Sequence, residues 1–123
     1  MIFRFSKERR RERLRAQPVP PAWRSILASN VRLFRKLPPE DQSELLSHVH
    51  VFLAEKNFEG CGGLELTDEI RVTIAAQACL LLLHRKTDYY PLLTSILVYP
   101  SVYTVPGVRY VGGHVWQEVG DVM

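Results

Sequence analysis

Residues 62–83 read Gly62-Gly63-Leu64-Glu65-Leu66-Thr67-Asp68-Glu69-Ile70-Arg71-Val72-Thr73-Ile74-Ala75-Ala76-Gln77-Ala78-Cys79-Leu80-Leu81-Leu82-Leu83, and from Thr67 onward they predict one helix. Thr67 offers a side-chain oxygen to the unpaired N–H groups of a first turn. Asp68 and Glu69 put negative charge at the positive end of the helix dipole. Ile70, Val72, Ile74, Ala75, Ala76, Ala78 and Leu80 to Leu83 then cover every side past that turn. A helix apolar all round belongs at the centre of a fold. His84-Arg85-Lys86 closes it with positive charge at the negative end of the dipole.

Upstream, Phe58 to Leu66 mixes apolar side chains with Gly60, Gly62 and Gly63, the pattern of a loop or short strand with close backbone approaches. Before it, Leu37-Pro38-Pro39 opens a second helix, with Glu40, Asp41 and Glu44 near its start. Leu45, Leu46, Val49, Phe52 and Leu53 give that helix a buried stripe. Trp23, Ile26, Leu27, Val31 and Leu33 predict a further short helix over 22–33. Downstream, Ser95-Ile96-Leu97-Val98-Tyr99 reads as an inner strand covered on both faces and bounded by Pro100. Val108 to Val111, Gly112-Gly113 and His114 to Val119 read as a hairpin. The fold class expected is α+β: two or three helices, one central and buried, with a small β-sheet or hairpin, forming an incomplete domain.

At 123 residues, with 46% hydrophobic and 24% charged side chains, the chain has the size and composition of one small soluble domain. Its net charge of +3 is unevenly spread, because residues 1–15 hold seven of the sixteen basic residues and two of the thirteen acidic ones. Lys7 to Arg15 lacks an apolar face, so residues 1–17 are expected to form a basic flexible tail. Residues 18–21 form a Pro-rich spacer, and 22–123 the folded part. The tail could associate weakly with an anionic surface. Glu8 and Glu12 interrupt it and no stacking aromatics lie within it, so no specific nucleic-acid binding is expected. Two cysteines and a charged start suggest free thiols and a cytoplasmic setting. The apolar run 74–83 is too short to span a membrane.

Candidate chemistry is sparse. His48 and His50 lie about 200° apart on a helix, which suits partly exposed histidines better than a metal pair. His114 and Glu118, as strand residues, would be ~13 Å apart, too far for one ion. Cys79 reads as a core thiol, and Cys61 makes no Cys-x-x-Cys with it. Gly60-Cys61-Gly62-Gly63 lacks the Gly-Lys-Ser/Thr of a phosphate cradle, and nearby Glu65, Asp68 and Glu69 would repel an anion. Gln77 is expected to be a satisfied core amide. No catalytic, cofactor-binding or metal-binding residue is assigned.

Four segments in order, Leu37-Pro38-Pro39-Glu40, Gly62 to Glu69, Ile74-Ala75-Ala76-Gln77-Ala78-Cys79-Leu80 and Leu97-Val98-Tyr99-Pro100-Ser101, resemble the N-terminal half of the Mlc titration factor A family of bacterial zinc-dependent peptidases. The resemblance implies a cytosolic metallopeptidase whose zinc sits on a later His-Glu-x-x-His helix, and a founding type that binds a transcriptional repressor. None of the four histidines here makes a pair at that spacing. What the resemblance carries over is therefore scaffold. It implies an N-terminal fragment of a hydrolase, without zinc or activity of its own. The alternative is an interaction module for a repressor or other partner. Apolar surface left uncovered would favour self-association.

Overall fold

The computed structural model describes residues 2–100 and 115–118. Within them, helices α1 (Ile2–Arg15), α2 (Pro21–Asn30), α3 (Arg32–Lys36) and α4 (Pro39–Glu55) precede strand β1 (Asn57–Gly60). Helix α5 (Asp68–Cys79) follows, tightened by a 3₁₀ turn over Leu80–Leu82, and then β2 (Ser95–Tyr99) and β3 (Val115–Glu118). The three strands form one sheet in the order β1-β2-β3. β1 and β2 run parallel, with Phe58 opposite Ile96 and Gly60 opposite Val98, so β1, α5 and β2 make a β-α-β unit. β3 pairs antiparallel with β2, Val98 opposite Trp116. This is the expected α+β class, with β2 the inner strand.

Helix α5 starts as its sequence requires. The Thr67 Oγ1 accepts the Ile70 N–H at 3.2 Å, and Asp68 and Glu69 occupy the first turn. Ile70, Val72, Ile74, Ala75, Ala76 and Cys79 are buried. They meet Leu45, Leu46, Val49 and Phe52 of α4 in one core, with Leu27, Phe34, Ile96 and Val98. The helix ends earlier than expected, however, at Cys79 and not at Leu83. Tightening to i→i+3 bonding is common at a helix C-terminus, and here it leaves Leu82 buried while Leu81 is 70% exposed. Gln77, expected in the core, is exposed. An exposed amide can bond to water, so it needs no buried partner.

Two other expectations change. The helix expected over 22–33 is broken at Val31, whose extended backbone separates α2 from α3. Residues 1–17, expected as a flexible tail, instead supply α1, laid against α4. The docking face contains a charge, which is why the sequence shows no apolar stripe there. Arg11 is 1% exposed and donates from Nε and Nη2 to both carboxylate oxygens of Glu55, at 2.7 and 2.9 Å. Its Nη1 reaches Asp88 at 2.8 Å, and its guanidinium lies over the Tyr89 ring, 4.8 Å from the centroid. The spacer is also used: the Pro18 carbonyl accepts from His50 Nε2 at 3.1 Å, and Pro21 becomes the first residue of α2.

The glycines 60–63 serve the sheet. A Cβ at Gly60 would sit 2.2 Å from the Leu64 carbonyl oxygen, and Gly62 turns with φ +62° beneath Pro100. Helix α5 begins five residues past that turn, which removes the geometry of a phosphate cradle. The first arm and turn of the hairpin expected over 108–119 lie outside the described residues, as does His114; Val115–Glu118 is the arm described. Among the described residues no helix is long and apolar enough to cross a membrane.

Candidate functional site

Polar side chains gather along α4, where α1 and the loop after α5 pack against it. Pro39 starts α4 without needing its missing N–H, which sets Asp41 and Glu44 one turn apart on one face and His48 one turn further on. From α1, Arg15 Nη1 donates to the Tyr89 hydroxyl at 2.9 Å. That hydroxyl lies 2.7 Å from His48 Nδ1, and His48 Nε2 lies 3.2 Å from Glu44 Oε2. A carboxylate can only accept, so His48 carries its proton on Nε2 and accepts a hydrogen bond from the Tyr89 hydroxyl on Nδ1. The relay therefore has one direction, Arg15 to Tyr89 to His48 to Glu44.

Burial sets the charge state along it. Burial pushes His48 below the ordinary imidazole range, against the opposing pull of Glu44, so the ring is neutral near pH 7 and its contact with Glu44 is a hydrogen bond. For Glu44, burial works to raise the carboxyl, but the N–H donors from His84 and His48 outweigh it and hold it below the usual range. Tyr89 is fully buried, and burial pushes its hydroxyl up despite Arg15.

The loop after α5 is held in an uncommon backbone form. His84, Tyr89 and Tyr90 all have positive φ, at 63°, 58° and 55°, a region that costs most non-glycine residues energy. Each is fastened. The His84 N–H donates to Glu44 Oε2 at 2.9 Å, and the Tyr90 hydroxyl donates to the Ala78 carbonyl at 2.9 Å. Lys56 Nζ donates to the Tyr90 carbonyl at 2.7 Å. The His84 ring then stands between two carboxylates, Nε2 3.2 Å from Asp41 Oδ1 and Nδ1 3.8 Å from Glu44 Oε1. Asp41, Glu44 and His84 each offer one ligand atom within 4.8 Å of the others. Beside them opens a cleft of about 1110 Å³, whose lining includes Lys7, Arg15, Arg85 and Lys86 against Glu8 and Asp88.

Of the residues weighed from sequence, His48 and His50 are buried, not partly exposed, because α1 and the spacer cover α4. They turn to different partners: His48 to Tyr89 and Glu44, His50 to Pro18 and the Trp23 ring, 4.7 Å away. Cys79 is buried and its thiol is pushed up by burial, while Cys61 is half-buried; both are free. Arg11, Arg15, Tyr89 and the Asp41-Glu44-His84 group carry no motif. The one local signal was Glu44-x-x-x-His48, a one-turn pair on a single helix face.

The zinc implied by the family resemblance requires two histidines one helical turn apart. His48 and His50 do not fit it, since each ring nitrogen described above is already engaged elsewhere, and no step through that zinc is derived for this chain.

Comparison with known proteins agrees with the four segments. An uncharacterised protein of Synechocystis sp. is 38% identical over 113 residues, 92% of this chain and 41% of the relative, so the chain spans less than half of that protein's length. No solved structure matches. The family model for glucose-regulated metallo-peptidase M90 matches residues 5–122, from α1 past β3, and the chain belongs to that family.

Proposed function

We propose that this chain is the N-terminal scaffold of a zinc-dependent metallopeptidase of the Mlc titration factor A kind, and that alone it hydrolyses no peptide. The observation that carries this is a family match over 5–122 in a chain with no His-Glu-x-x-His. The β-α-β unit and α4 supply a rigid platform of the kind on which such a helix could be mounted. Two free cysteines suit a reducing, cytoplasmic setting.

The test is hydrolysis of a mixed peptide library by the purified 123-residue chain with zinc supplied. No cleavage above a metal-free blank is expected. Zinc-dependent cleavage that a chelator abolishes would overturn the proposal.

A second reading, a non-catalytic module binding a transcriptional repressor or other partner, draws on exposed apolar side chains, with Leu92 97% and Leu81 70% exposed. The same surface would favour self-association. Pull-down with a repressor of the family's type, against a Leu81→Ser, Leu92→Ser variant, separates specific capture from simple stickiness.

A further inference from the structure

We propose that Asp41, Glu44 and His84 form a site for one divalent transition ion, with zinc as its probe, separate from any peptidase zinc. The proposal does not rest on the peptidase reading. The donor set is mixed: two carboxylates from one face of α4 and an imidazole brought in from 40 residues later in the chain. Imidazole with carboxylate suits zinc and its neighbours better than it suits calcium or magnesium, which take oxygen alone.

One of the separations already matches a tetrahedral ion. Ligand atoms about 2.0–2.2 Å from a tetrahedral ion lie ~3.3 Å from one another. His84 Nε2 and Asp41 Oδ1 are 3.2 Å apart, and Glu44 completes a group whose ligand atoms are all within 4.8 Å. Glu44 is already turned to the task. Its Oε2 is taken by the N–H groups of His84 and His48, at 2.9 and 3.2 Å, which leaves Oε1 as the oxygen on the His84 side. A carboxylate fixed in this way by outer partners is the usual support of a metal ligand.

Charge decides between occupants. The first turn of α4 carries roughly half a positive charge from the helix dipole, which disfavours a cation. The carboxylates of Asp41 on that turn and Glu44 on the next supply two negative charges and outweigh it. An ion would bind a ring nitrogen of His84 through its lone pair, in the space where the ring now faces both carboxylates. His84 is 67% exposed on its side chain, so the ion has a path from solvent, and three protein ligands leave the remaining position to water.

Isothermal titration of the metal-stripped 123-residue chain with zinc tests this, with cobalt(II) absorption reporting the coordination. One ion per chain is expected. Asp41→Asn, Glu44→Gln and His84→Ala should each weaken binding by about 10-fold or more. Glu40→Gln, an exposed acid on the same turn, should leave it unchanged. Because Glu44→Gln also disturbs His48, Asp41→Asn is the deciding variant. Amide shifts of residues 41, 44 and 84 in the unmutated chain on adding zinc give a readout that needs no variant. Failure of saturable binding, or His84→Ala binding like the parent, would overturn the proposal. Zinc binding without hydrolysis, by contrast, leaves both this site and the scaffold reading standing.

Discussion

Two halves of this molecule are joined by different chemistry. Around α5, the β-α-β unit closes on Ile74, Ala75, Val98 and Ile96 against Leu45, Val49 and Phe52 of α4, side chains with no polar atoms to satisfy. Around α1, the brace formed with residues 84–90 closes on Arg11, Arg15, Tyr89, His48 and Glu55, nearly all of them polar. An apolar contact loses energy gradually as atoms are removed, whereas a buried polar contact fails when one partner goes, because the other is stranded. The first half should therefore behave as the stable core and the second as an attachment that can be released as a unit.

Arg11→Ala should show this most strongly. Removing the buried guanidinium takes from the mostly buried Glu55 its two-bonded partner, a loss of about 3–5 kcal/mol for a broken buried pair. Hydrogen exchange should rise over residues 2–15 and 84–90 while α5 stays protected. Ile74→Ala, about 2–5 kcal/mol, should instead lower protection everywhere, since it opens a cavity between α4 and α5. If both variants loosen the molecule uniformly, the two halves are one cooperative unit and the contrast is lost.

Acid should repeat the Arg11 result without a mutation. Asp88 is held below the usual range by the Arg11 hydrogen bond; Glu55 is held low because Arg11 outweighs the effect of burial. Their folded pKa values lie below the unfolded ones, so their stabilisation is complete above the unfolded carboxylate range and lost as pH falls through the folded values. His48 is also depressed, by burial, so its penalty begins earlier, as pH drops below about 6.5. Acid titration followed by exchange should release the His48–Tyr89 contact first and α1 afterwards. Loss of α5 protection before α1 would contradict that order.

Tyr89→Phe is a smaller test of the same brace. It keeps the ring under Arg11 but removes the hydroxyl, leaving His48 Nδ1 without its donor and Arg15 without its acceptor. A buried group left unsatisfied costs about 1–3 kcal/mol. Thermal melts should show that loss, and the His48 imidazole should move in proton NMR. A silent substitution would mean that water replaces the hydroxyl.

The same contrast explains what could be read in advance. α4, α5 and β2 are specified by near neighbours: Pro39 at a first turn, Thr67 three residues before Ile70, alternate Ile96 and Val98. The brace is specified by partners 44 and 77 residues away, and a string such as Arg9-Arg10-Arg11 does not say which guanidinium is buried. The end of α5 was overestimated because four leucines satisfy a helical pattern whether or not the last turn tightens. At the candidate site, Glu44 and His48 stand one turn apart in sequence, but His48 was weighed from sequence against His50 instead, and His84 enters only through the turn that follows Leu82.

The smallest expected effect lies in the apolar half and tests its one polar device. Thr67 Oγ1 caps α5 through the Ile70 N–H, and its loss in Thr67→Ala leaves that donor to water. Caps of this kind are worth about 0.5–2 kcal/mol, and Thr67 is exposed, so the lower part of that range applies. Thr67→Ser keeps the oxygen and should recover most of the loss. Because the cap acts on the helix start while Ile74 and Ala75 hold its body, faster exchange should stop within the first turn, at residues 68–71. Exchange that spreads to Cys79 would show that the helix depends on its cap rather than on burial, and that the apolar half is less self-sufficient than its core implies.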